Sequence, residues 1–180
     1  MTILALDIGL NLGWAAGLPG IPFVSGTMVF SPTGGDIARL YYAVRSSLTR
    51  KIEEYGIERV IAEAPIHVPT NNLPSLETTF GLHATASLLC KDRGIRYRRE
   101  DMGDVRREVL GVRQKPRGIK SDTELPWIKQ KAFDYCVARG WEPKDHNAAD
   151  ALINLEFECR RLDSAYAAAH AGKFFLEAAS

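Results

Sequence analysis

The chain predicts an α/β domain built on a mixed β-sheet flanked by helices. Two short apolar runs each end in an acid, Ile3-Leu4-Ala5-Leu6 at Asp7 and Val60-Ile61-Ala62 at Glu63, as buried strands reaching a sheet edge do. Strand-like runs fill the first 30 residues, and the apolar period then changes to a helical one. With 180 residues and 46% hydrophobic composition, the chain can bury one core. It contains no internal repeat or linker, so residues 1–162 are expected to form the domain and 163–180 a C-terminal tail or helical extension.

The elements follow in order. Thr2 to Asp7 reads as the first strand, Asn11 to Gly17 as its returning partner and Phe23 to Phe30 as a third, an antiparallel meander. Ile37, Leu40, Tyr41, Val44, Leu48, Ile52 and Tyr55 recur at helical spacing, with Asp36 as N-cap and Gly56 as stop. Arg59 to Glu63 is a fourth strand, Leu76 to Lys91 a helix, and Gly94 to Arg99 a fifth strand. Asp104 to Leu110 reads as a short helix, 111–120 as a loop, Trp127 to Ala138 as a helix, and Asn147 to Arg161 as the last principal helix.

Composition narrows the functional classes. Cys90, Cys136 and Cys159 are odd in number and lack the spacing of a zinc or redox motif, so they read as reduced packing thiols. The N-terminus reaches Asp7 too early for a secretory signal, and no apolar run approaches the length of a membrane span, so the expected location is the cytosol. Net charge is only +1, yet residues 91–120 carry 11 bases and 5 acids. That segment is either a solvated face or the electrostatic footprint of a nucleic acid.

The acids supply the candidate chemistry. Asp7 and Glu63 end strands expected at one sheet edge, and Asp145-His146-Asn147-Ala148-Ala149-Asp150 adds a helix start on which Asn147 and Asp150, three apart, share a face. The alanines let that helix approach closely, while Asp145 and Asn147 also suit a capping role. Carboxylate oxygens favour hard ions, Mg²⁺ with Mn²⁺ able to substitute. Two such ions, about 3.5–4 Å apart, can align a water with a scissile phosphodiester and stabilise the leaving oxygen. Asp7 is the best candidate for bridging them.

Leu6-Asp7-Ile8-Gly9-Leu10-Asn11-Leu12-Gly13-Trp14, Val60-Ile61-Ala62-Glu63, Gly81 with its helix, and Asn147-Ala148-Ala149-Asp150-Ala151-Leu152 together resemble the RuvC-like Holliday junction resolvases of the RNase H-like superfamily, over residues 1–160. The resemblance implies an RNase H-like sheet and a homodimeric endonuclease that nicks four-way or otherwise branched DNA symmetrically. It also implies two Mg²⁺ ions per site on Asp7, Glu63 and Asp150. The family's further ligand, an Asp or His three residues before the last Asp, is matched here by Asn147, whose amide oxygen can coordinate but brings no charge. Asp145 and His146 stand near enough to compensate. Relatives carry an aromatic wedge after the catalytic Glu, where this chain has Ile66 and His67.

Arg98, Arg99, Arg106, Arg107, Arg113, Lys115, Arg117 and Lys120 are the bases expected to follow the DNA phosphates. Resembling relatives use lysines of this region near the scissile phosphate, a place that Lys115 or Lys120 would take. Trp14 and Trp141 read as packing residues near the acidic motifs. The competing readings are a less branch-selective DNA or RNA nuclease, a catalytically inactive junction-binding module, and an ATP-dependent sugar-kinase-like or actin-like protein, whose first strand also carries Asp-x-Gly.

Overall fold

A computed structural model describes residues 1–31, 36–65, 73–113 and 126–170. Strands β1 (Ile3–Asp7), β2 (Asn11–Gly17) and β3 (Val24–Val29) form the expected meander, followed by α1 (Ile37–Tyr55), β4 (Arg59–Glu63), α2 (Leu73–Asp92) and β5 (Arg96–Glu100). Four further helices complete the described chain: α3 (Met102–Leu110), α4 (Trp127–Ala138), α5 (His146–Leu162) and α6 (Ser164–His170). The sheet order is β3-β2-β1-β4-β5, with β1 antiparallel to β2 and parallel to β4, and β4 parallel to β5. This is a mixed sheet, as the element order requires once each crossover from β1 to β4 and from β4 to β5 runs through a helix.

Side chains alternate across the sheet, and each face buries its own cluster. Leu4, Leu6, Val60 and Ala62 pack with Leu40, Val44, Leu48 and Ile52 of α1 and with Leu82, Ala86 and Leu89 of α2. Ile3, Ala5 and Ile61 face the other way, against Ala149, Leu152 and Ile153 of α5 and the apolar sides of α3 and α4. α1 is bounded as the sequence predicts. The Asp36 carboxylate accepts from the amides of Ala38 and Arg39, and Gly56 leaves the helix with φ +59°.

α5 is the central helix, and every residue from Ala148 to Cys159 is buried. Its two glutamates lie within the fold with full sets of partners. Glu156 meets Arg139, Arg160 and the Tyr166 hydroxyl, which donates to it at 2.5 Å, while Glu158 meets Arg59 and Arg161. Tyr166 belongs to α6, so the chain beyond residue 162 begins with a helix packed back on α5. The three cysteines are free and buried. No helix among the described residues is long and apolar enough to cross a membrane.

Candidate active site

Three elements deliver carboxylates to one place. β1 directs Ile3, Ala5 and Asp7 toward α5, and β4 does the same with Arg59, Ile61 and Glu63. Because the parallel register pairs Leu6 with Ala62, Asp7 and Glu63 come off neighbouring strands at the same C-terminal edge. The third carboxylate, Asp150, is 1% exposed on the second turn of α5.

The close approach of α5 depends on β2. Gly13 pairs with Asp7, and a Cβ on it would collide with the backbone carbonyl of Asn147 in the first turn of α5. Only a residue without a side chain lets the helix start settle onto the strand beside Asp7. Ala148, Ala149 and Ala151, all fully buried, continue this contact.

Electrostatics register the convergence. The Asp7 carboxyl is pushed up to about 8 by burial first and then by the charges of Asp150 and Glu63. Burial also raises Glu63, and a hydrogen bond between the two carboxyls makes Asp7 the partner that keeps the proton. Asp150 faces two cations that bear on it from different helices: Arg106 Nη2 of α3 at 3.3 Å from Oδ1, and Lys129 Nζ of α4 at 3.5 Å from Oδ2. Three carboxylates against two cations leave an excess negative charge at a buried point, and the proton on Asp7 removes it.

An oxygen-only donor set with more carboxylates than cations fits a hard divalent cation. Among the described residues, however, no three acids, histidines or cysteines close into a ready coordination sphere. Asp150 is instead held by Arg106 and Lys129.

The other candidate ligands have different surroundings. Asp145 is the N-cap of α5. Its Oδ1 accepts from the Ala148 amide at 2.9 Å and from the Thr27 hydroxyl at 2.6 Å, so the capping reading holds and its role as the missing ligand is not what this geometry favours. His146 turns to α4, with Nδ1 3.4 Å from the Lys129 carbonyl and its ring against Phe133. Asn147 stays half-buried on the helix face of Asp150, three residues away.

The basic candidates divide. Arg98, half-buried, pairs with Glu100 and lies 3.6 Å from the buried Glu158, a tie between β5 and α5. Arg106 is likewise engaged, by Asp150 itself. Arg107 and Arg113 are exposed but lean on Asp104, with Asp101 also beside Arg113. Arg99 is exposed and forms no ion pair among the described residues. Ile66, His67, Lys115, Arg117 and Lys120 lie outside the described residues.

Sequence reasoning missed Lys129 and Glu100. Nothing in Trp127-Ile128-Lys129-Gln130-Lys131 distinguishes one helix lysine as facing an acid. Glu100 becomes visible only through the strand register, which sets it beside Glu63.

The fold is thus a mixed five-stranded sheet with an acidic cluster at the C-terminal edge of its parallel strands β1 and β4. Sequence comparison finds no matching family model and no matching relative among curated proteins. Comparison of folds gives clear matches. The chain superposes on Thermus thermophilus RuvC with TM-score 0.66 and 13% identity, covering 89% of this chain and 96% of that one. The same enzyme in complex with a Holliday junction substrate matches with TM-score 0.64 and 12% identity over 89% and 96%. The yeast mitochondrial Holliday junction resolvase Ydc2 matches with TM-score 0.58 and 10% identity over 88% and 77%. The structural neighbours of this chain are therefore Holliday junction resolvases, and it shares their fold over most of its length.

Proposed function

We propose that this protein is a divalent-metal-dependent endonuclease that resolves four-way or other branched DNA junctions by paired nicks. The observation that carries the reading is the meeting of Asp7, Glu63 and Asp150 at one sheet edge, with a charge balance that makes Asp7 hold a proton. Support for the substrate class comes from the junction resolvases that share the fold, one of them in complex with a Holliday junction.

Asp7, Glu63 and Asp150 would hold Mg²⁺ or Mn²⁺, with the amide oxygen of Asn147 as the further donor on the Asp150 face. Bound there, the metal would supply a polarised water and stabilise the leaving oxygen. The protein's own groups do the rest. With a cation held there Asp7 would release its proton to solvent, and the buried wall around Asp150 limits the access of bulk water. Arg106 and Lys129, which meet Asp150, would serve as counter-charges for a phosphate at the same edge. Arg99, Arg107 and Arg113 extend the positive surface, and Lys115, Arg117 and Lys120 are proposed to continue it. Cutting opposite strands calls for two such sites, hence a homodimer.

The test is metal-dependent cleavage of four-way, three-way, flap and linear DNA by the purified protein. Preference for the four-way junction supports resolution. Equal cleavage of all four would favour the less branch-selective nuclease, and metal-independent binding without cleavage the inactive binding module.

A further inference from the structure

One line of buried residues along α5 is polar. Asp150, Asn154 and Glu158 follow one another at intervals of four, so they stand one above another on the same side of the helix. The lowest, Glu158, is fully buried and accepts from Arg59 Nη1 at 2.9 Å, with Arg161 and Arg98 beside it. The uppermost, Asp150, meets Arg106 and Lys129.

Asn154, between them, is 0% exposed, and neither its Oδ1 nor its Nδ2 has a hydrogen-bond partner among the described residues. The Nε atoms of Arg59 and Arg106, the arginines that meet the carboxylates below and above it, are also buried without partners. An amide can make about four hydrogen bonds, and buried polar groups are almost always paired with protein or ordered water. The residues flanking it in sequence, Ile153 and Leu155, are fully buried and apolar, and Ala151, a turn before it, is too.

The chemistry of the seam selects what the amide binds. An anion is repelled by Asp150 and Glu158, and a cation meets the guanidinium groups of Arg59 and Arg106. A small neutral molecule that both donates and accepts suits the Asn154 amide, and that molecule is water.

We propose that Asn154 anchors an internal water site that joins the Glu158–Arg59 ion pair to Asp150 and holds the Asp150 carboxylate in position for its metal. The second half of this inference rests on the metal-dependent reading above, with Asn154 as a positioning residue. Groups that orient metal ligands typically change metal affinity by about 10–100-fold when removed, and one acting through water falls at the lower end, about tenfold.

Two measurements test it. A high-resolution crystal structure of the full chain should contain an ordered water hydrogen-bonded to Asn154 and to a second polar group of the seam. In Mn²⁺ titrations followed by calorimetry, Asn154→Leu should bind about tenfold more weakly than the wild type, and Asn154→Ser, which keeps a hydroxyl for the water, should fall between them. A dry seam, or folded variants that bind Mn²⁺ as the wild type does, would overturn the proposal; if the leucine variant does not fold, the serine variant decides. If the wild type itself binds no Mn²⁺, the metal-dependent reading fails and with it the positioning role, while the water site stands or falls on the crystal structure.

Discussion

Asp7→Asn makes the protein's stability a direct report on the acidic cluster. In the metal-free protein the Asp7 carboxyl is pushed up to about 8 from its ordinary 3.8. A folded-state value raised in this way contributes stability that is fully present below the unfolded value and is lost as pH rises through about 8. At about 1.4 kcal/mol for each tenfold change in proton affinity, the full effect corresponds to a ceiling of about 6 kcal/mol. Rearrangement of the carboxylates and entry of water reduce this to about 2–4 kcal/mol.

Asparagine carries no charge at any of these pH values, and its Nδ2 can donate to Glu63 as the protonated acid does. The variant and the wild type should therefore be equally stable near pH 4 and diverge as pH rises. Near pH 9 the variant should be the more stable by about 2–4 kcal/mol, or about 5–15 °C in Tm for a chain of this size. Urea unfolding in the presence of a chelator, read by the fluorescence of the three tryptophans, gives both curves. Parallel curves, or a variant that loses ground with rising pH, would refute the assignment of a crowded, proton-holding Asp7.

Three further substitutions probe other parts of the structure. Gly13→Ala forces a Cβ into the Asn147 carbonyl and should cost about 1–3 kcal/mol while weakening Mn²⁺ binding, and wild-type behaviour in both respects would contradict the close-approach role. Tyr166→Phe removes the 2.5 Å hydrogen bond to the buried Glu156 and should cost about 1.5–3 kcal/mol in urea unfolding without altering Mn²⁺ affinity. Lys129→Met removes a cation that competes for Asp150, so Mn²⁺ should bind about three- to tenfold more tightly in the absence of DNA, the equivalent of about 1 kcal/mol for a partly exposed pair. Unchanged or weaker binding in a titration would show that Lys129 does not compete.

Much of the architecture was legible because single residues carry strong local signals. Asp7 and Glu63 end apolar runs, Asp36 and Gly56 bracket α1, and each of these positions agrees with the fold. Boundaries slipped where tertiary packing extends an element. α2 begins at Leu73 because Pro74 is tolerated in a first turn, and α3 begins at Met102 because Asp101 caps it, accepting from the Asp104 amide. The site was legible as a set of strand-end and helix acids but not as a balance of charges. Arg98 and Arg106 read as surface bases, and only the pairing of β5 and α3 with α5 reveals the acids they meet, Glu158 and Asp150. Glu156 and Glu158, which the sequence reading does not single out, are fully buried because five arginines and two tyrosines close around that part of α5.

Mapping the cuts made in a strand-labelled four-way junction tests the central proposal most directly. Incubation with Mg²⁺ should give two nicks at symmetry-related positions on opposing strands, and Asp7→Asn should bind the junction yet give none. Nicks of equal yield from the Asp7→Asn variant, or unpaired cuts scattered along all four arms, would contradict it.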